Sequence, residues 1–135
     1  MIKLLNDFQL SKNFKVSEFV CPDGSGEVMI VPEQTEALQR LRDIAKAPVN
    51  IMSGYRNKTY NTKIGGDKNS NHMKGEASDI HVVGFTPEQI VPLAQLAGFS
   101  RVLIYDTFVH VGVTAGNTFH DYRVNNKNKP VFRIW

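Results

Sequence analysis

Ile64-Gly-Gly-Asp-Lys-Asn-Ser70-Asn-His72-Met-Lys-Gly75-Glu-Ala77-Ser-Asp79-Ile80 is the stretch whose reading settles what the rest of this chain is for. In it, His72 and Asp79 fall in the pattern S-x-H-x-x-G-x-A-x-D. A neutral imidazole and a carboxylate are both good zinc ligands, and a zinc site that performs chemistry takes three protein ligands and keeps one position open. Two of the three can come from here. The third should be a histidine on a separate strand, and Phe108-Val-His110-Val-Gly-Val113 is suited to supply it. A metal-dependent hydrolase is the leading expectation.

The residues around the pair support a ligand role. Ala77 to Val83 reads as a strand by composition, with Ala77, Asp79, His81 and Val83 on one face and Ser78, Ile80 and Val82 on the other. An aspartate in the middle of a strand is costly to bury unless something positive holds it. His81 shares that face, but spacing alone supports it as a further ligand. Asp67 to Met73 is polar and reads as a loop, and Gly75 lets the backbone pass close to another segment.

Upstream, Pro32 suits a first helical position, and Ala37, Leu38, Leu41, Ile44 and Ala45 recur at helical spacing, so residues 33–46 are an amphipathic helix that Pro48 ends. Val28 to Val31 is a candidate strand end, and Phe14, Val16 and Phe19 anchor the first segment onto the body. Val49 to Ser53 is a strand, followed by Gly54-Tyr55-Arg56 and a short helix over 57–64. Arg56 sits where a strand ends. Its guanidinium can bind a carboxylate through two parallel hydrogen bonds, or it can cap a helix or pair with Asp67.

Downstream, Thr86-Pro-Glu-Gln89 is a capping box that opens a helix to about Ala97, with Pro92 expected to distort it and Gly98 to close it. Arg101 to Tyr105 and Phe108 to Val113 are strands joined at Asp106-Thr107, and on the second His110 lies on the face away from the valines. Thr114 to Asn126 is polar with scattered aromatics, and Pro130 to Trp135 reads as a closing strand. These elements give an α+β fold, one domain over 1–135, with a small antiparallel or mixed sheet flanked by helices.

Composition narrows the function classes. The 135 residues carry a net charge of +3 with no dense basic stripe, so nucleic-acid binding has little support. No apolar run is long enough to cross a membrane, so membrane insertion is not expected. Asn6, Asp7 and Gln9 interrupt the N-terminal apolar residues too early for a signal-peptide core, which predicts synthesis in the cytosol. Cys21 is the one cysteine, so no internal disulfide can form.

The run Ser53-Gly-Tyr-Arg56, Asn61, Gly65-Gly66, Asn69-Ser70-x-His72-x-x-Gly75-x-Ala77-x-Asp79-Ile80 and Val109-His110-Val111 resembles the zinc D-Ala-D-Ala carboxypeptidase family. That family includes murein endopeptidases and phage endolysins and shares its fold with the Hedgehog signalling domain. The resemblance implies one Zn2+ held by His72, Asp79 and His110, with Arg56 orienting substrate and Ser70 in the substrate-binding segment. It implies a peptidoglycan stem peptide as substrate. A single domain read without a leader, anchor or wall-binding repeat is expected to be a monomer that acts at the cell wall, including after phage-type release or as a virion component.

The sequence departs from the family pattern at the general base. Where several branches place an acid three positions before the last histidine, this chain has Thr107, with Asp106 one step further away. On a fully extended strand Asp106 lies roughly 13 Å from His110, so it serves as the catalytic base only if the chain bends at Thr107. His81, His120 and Asp121 are further candidates. Some relatives also carry an aspartate where this chain has Gly112. These departures keep open a second reading, a zinc-stabilised binding or structural module without catalysis.

Overall fold

The computed structural model describes residues 7–135, so part of the N-terminal stretch read above lies outside the described residues. The strand that carries Asp79, β4 (Ala77–Val82), lies inside a five-stranded sheet between β3 (Val49–Ser53) and β6 (Val109–Gly112). Strand β5 (Arg101–Ile104) follows β6, and β7 (Thr118–Asp121) closes the order β3-β4-β6-β5-β7. Every pairing is antiparallel except β5 with β7, which is parallel. The sheet is therefore mixed.

Register does the positioning. Asp79 stands directly opposite His110, Ile80 opposite Val109 and Ser78 opposite Val111. Because side chains alternate with period two, a slip of one residue would send Asp79 or His110 to the other face. That other face is the core. Ile80 and Val82, Val109 and Val111, and Val102 and Ile104 are fully buried against Ala37, Leu38 and Leu41 of α1 (Pro32–Ala45) and Ile90, Val91 and Ala94 of α3 (Pro87–Leu96). Gln34 of α1 reaches the sheet as well, donating from Nε2 to Ser78 Oγ at 3.2 Å and to the Val111 carbonyl at 3.1 Å. The helices thus cover one face and leave the face that carries Asp79 and His110 open.

At the start of the described chain, a two-stranded hairpin of β1 (Gln9–Ser11) and β2 (Phe14–Lys15) leads into a 3₁₀ turn, Val16–Phe19. Phe14 and Phe19 are buried as expected. The short α2 (Lys58–Lys63) begins at Asn57, whose side chain accepts from the Tyr60 N–H. Thr86 and Gln89 form the reciprocal capping box read from the sequence.

Several expectations are corrected. Residues 28–31 form no strand, although Val31 N–H donates to the Gly75 carbonyl at 3.0 Å. The first helix stops at Ala45 with Lys46 in the left-handed region (φ 53°), two residues before Pro48. Pro92 leaves α3 unbroken. Its missing N–H removes one rung of the ladder, and burial of Ile90, Val91 and Ala94 holds the rest. Residues 130–135 form no strand; Gln95 ties the tail down by bonding Ile134 N–H and the Trp135 carbonyl. Strand β7 went unread, since Thr-Phe-His-Asp is short and lacks an apolar alternation.

One glycine is indispensable to the site. Gly75 has φ +68°, and a Cβ there would lie 2.6 Å from the Met29 carbonyl oxygen and 2.9 Å from Ile30 Cα. Both penalties fall on Gly75→Ala, which should cost about 2–4 kcal/mol in chemical denaturation from backbone strain and overpacking together.

Candidate metal centre

His72 does not lie in a loop, as its polar surroundings suggested, but in a single 3₁₀ turn, Asn71–Lys74. Ser70 caps this turn by accepting the His72 N–H at 3.2 Å, and Gly75 ends it. The segment after β3 fixes its orientation. Arg56 N–H donates to the His72 carbonyl at 3.2 Å, and His72 Nδ1 lies 2.7 Å from the Gly54 carbonyl. A carbonyl can only accept, so Nδ1 carries the proton and Nε2 of the neutral ring carries the lone pair.

That lone pair is aimed at Asp79. His72 Nε2 lies 3.3 Å from Asp79 Oδ1, and His110 Nδ1 lies 3.0 Å from the same oxygen. The three potential ligand atoms all fall within 4.8 Å of one another, and all three residues are buried. In the tautomer that the Gly54 bond selects, Nε2 presents its lone pair toward the Asp79 carboxylate. A bound cation answers that arrangement. Two imidazoles and one carboxylate, with the remaining side open to a cleft, match the donor set of a catalytic zinc site.

The electrostatics agree. Burial alone would raise the Asp79 carboxyl, but the hydrogen bonds and positive charge that His110 and His72 offer when protonated hold it well below the usual carboxylate range. Burial pushes the His110 imidazole below 6.5, against the opposing pull of Asp79, so it is neutral and able to ligate near pH 7. Arg56 donates from Nη2 to Asp79 Oδ2 at 3.1 Å and from Nε to Ser53 Oγ at 3.1 Å. It pairs with Asp79, therefore, and not with Asp67. Residues that hold a ligating carboxylate in this way commonly tune the metal as well as orient the ligand.

The three candidate donors line a cleft of ≈ 340 Å³. One wall is polar, running from Gly65 to Asn71 and including Ser70. The other is aromatic. Tyr105 stacks on Phe108 at 4.5 Å and on Tyr122 at 5.3 Å between ring centroids. Burial, the Asp79 charge and the neighbouring Tyr122 all raise the Tyr105 phenol, which stays protonated as a donor facing the cleft.

The acid–base candidates fare differently. Asp106 is not among the cleft-lining residues, and its carboxylate accepts the backbone N–H groups of Val124, Asn125 and Asn126 at 3.1–3.2 Å. Although burial opposes it, those bonds hold the Asp106 carboxyl below its ordinary value. The bend at Thr107 turns Asp106 toward that loop and not toward the metal donors. Asp121 is held by Arg123 through two bonds of 2.8 and 2.9 Å, and its carboxyl is pulled down to about 2. His81 is in register with Asn50 and does not line the cleft. His120 is in register with Leu103, which is in register with His110, so it sits in the same cross-strand row as two of the ligands.

Sequence reasoning missed Arg101, Tyr105, Phe108 and Tyr122 as cleft residues. Alternation along β5 held the signal for the first two, because Leu103 faces His110 and residues 101 and 105 share its side. Tyr122 follows β7, which the sequence did not reveal.

A buried His-Asp-His set in an open cleft, on the uncovered face of an α+β sheet, is a donor set for a single metal ion. The chain belongs to the peptidase M15 family, the zinc D-Ala-D-Ala carboxypeptidase family, whose model matches residues 12–112. Membership supports a zinc metallopeptidase. No curated protein matches the chain.

Proposed function

We propose that this chain is a zinc peptidase that hydrolyses D-amino-acid-containing peptide bonds in peptidoglycan stem peptides, as a D,D-carboxypeptidase or a murein endopeptidase. The observation that carries the proposal is the convergence of His72, Asp79 and His110 in an open cleft of an M15 chain. Zinc, when bound, supplies a Lewis acid that polarises a carbonyl and acidifies water to a pKa near 7. The protein does the rest. His72 is locked by Gly54 in the tautomer that presents Nε2, and Arg56 holds the far oxygen of Asp79. Arg56 and Ser70 line the cleft beside the donors, where they meet substrate. The protonated Tyr105 offers a hydrogen-bond donor on the opposite wall. Such an enzyme acts at the cell wall, as a bacterial enzyme or as a phage lysin.

The test is mass spectrometry of fragments released from purified peptidoglycan by zinc-loaded protein, with and without chelator. Chelator-sensitive loss of terminal D-Ala is the carboxypeptidase result, and cut stems or cross-links are the endopeptidase result. A folded, zinc-loaded sample that releases nothing from several peptidoglycan types would instead identify a zinc-stabilised binding module.

Asp106→Asn separates the two roles open to that residue. Loss of a positioned general base costs about 10²–10⁴-fold in rate, whereas Asp106 sits among backbone donors. The expected result is turnover within about tenfold of the parent, with a lower thermal midpoint from the loosened 124–126 loop. A rate loss of a hundredfold or more at full zinc content would restore Asp106 as the base.

A further inference from the structure

We infer that Arg101 is the carboxylate-recognition residue of the cleft, receiving a carboxylate borne one or two residues beyond the scissile bond. The inference rests on the peptidase reading given above. Two arginines line the cleft, and they differ in engagement. Arg56 is committed to Asp79 and Ser53. The guanidinium of Arg101 makes no ion pair and no hydrogen bond among the described residues, although the residue is half-buried. A guanidinium has five donors in a fork that matches a carboxylate, and a half-buried one without an acceptor is suited to an incoming anion.

Its position fits a substrate anion. Arg101 is in register with Gly112, two residues beyond His110 on the ligand-bearing face. Two residues along a strand are about 7 Å and the next strand is about 5 Å away, so Arg101 is offset from His110 by one pleat and one strand. An extended peptide advances about 3.3–3.6 Å per residue. With its scissile carbonyl at the metal donors, a carboxylate one or two residues on comes within reach of the Arg101 side chain. The positive charge of Arg101 also acts on both His110 and Tyr105, as expected of a group facing the same space.

Gly112 is what keeps the guanidinium available. A Cβ at that position would lie 3.7 Å from Arg101 Cβ, so an acid there would stand beside the arginine and neutralise it. On the other side, Arg101 is in register with Thr118, which carries no charge. Neither neighbouring strand offers an anion at this row.

The source of the carboxylate is either the C-terminus of the peptide or the side chain of a diamino acid in the stem, and the experiment separates them. Zinc-loaded parent and Arg101→Gln proteins are compared on N-acyl-D-Ala-D-Ala, on its C-terminal amide, and on an amidated stem peptide whose diamino acid keeps its free carboxylate. The parent should favour a carboxylate-bearing peptide over the plain amide by roughly 10–100-fold in KM, the scale of a charge-assisted hydrogen bond. Whichever carboxylate carries that preference is the source. In Arg101→Gln the preference should vanish with zinc content and thermal midpoint unchanged, and Arg101→Lys should restore part of it. Gly112→Asp should mimic the loss with Arg101 still in place. Independently of turnover, N-acetyl-D-alanine should shift the Arg101 side-chain N–H resonance in the parent, and N-acetyl-D-alaninamide should not. Preference retained by a zinc-replete Arg101→Gln protein would overturn the inference while leaving the peptidase reading intact. A parent that neither cleaves the peptides nor responds to N-acetyl-D-alanine would remove both.

Discussion

His110→Ala is expected to yield a folded protein without stoichiometric zinc and without peptidase activity. The reason is the register of two strands. Asp79 and His110 face each other across β4 and β6, and His72 arrives from a separate 3₁₀ turn. Removing His110 leaves two donors, one of them the buried Asp79 carboxylate, which has lost a partner 3.0 Å away. Losing a residue that merely orients a ligand commonly weakens metal binding about 10–100-fold, and losing a ligand should exceed that. Elemental analysis after dialysis against a weak chelator is the direct measurement, and His72→Ala should behave alike. Full zinc occupancy in either variant would overturn the ligand set. The fold should survive, because His110 faces the cleft while Val109 and Val111 on the same strand make the core contacts.

Arg56→Ala is expected to lower turnover by roughly 10–100-fold while leaving zinc in place. The guanidinium holds Asp79 Oδ2 and lines the cleft, so its loss both frees a ligand oxygen and removes a cation from the substrate path. The three donors themselves are untouched. Zinc content measured beside kcat and KM separates this outcome from loss of the metal, and unchanged kinetics would take Arg56 out of the site. Arg56→Lys should recover little, since an ammonium cannot reach Ser53 and Asp79 with one planar fork.

Two of the three candidate donors were legible in the sequence because they sit where local rules are strong. Asp79 stands in an apolar strand that only a positive partner makes tolerable, and His110 sits between valines that declare which face is core. The two main helices were legible for a similar reason: Pro32 and the Thr86–Gln89 box mark their starts. Contacts made between distant segments were not legible. Nothing near Asp106 announces that its carboxylate will be filled by backbone donors of residues 124–126, eighteen to twenty positions on. Nor does a four-residue strand with one aromatic reveal that it will pair in parallel with β5 and bring Tyr122 to the cleft. Arg101 illustrates the same limit: its strand was evident, while its lack of a side-chain partner among the described residues was not.

The spacing of the ligands along the chain carries a mechanical consequence. With Cys21 as its one cysteine, this protein has no disulfide to shorten its unfolded state. A single ion bound to His72, Asp79 and His110 would tie residue 72 to residue 110 and clasp β4 to β6 in passing. It would close a long loop in any partly opened chain that kept its ligands, as a cross-link does. Metal removal should therefore be felt first as easier opening of the segment between those histidines, visible as faster amide exchange in β4 and β6, with α1 retaining its protection. The ion that activates the cleft would then also be the fastener of the sheet beneath it.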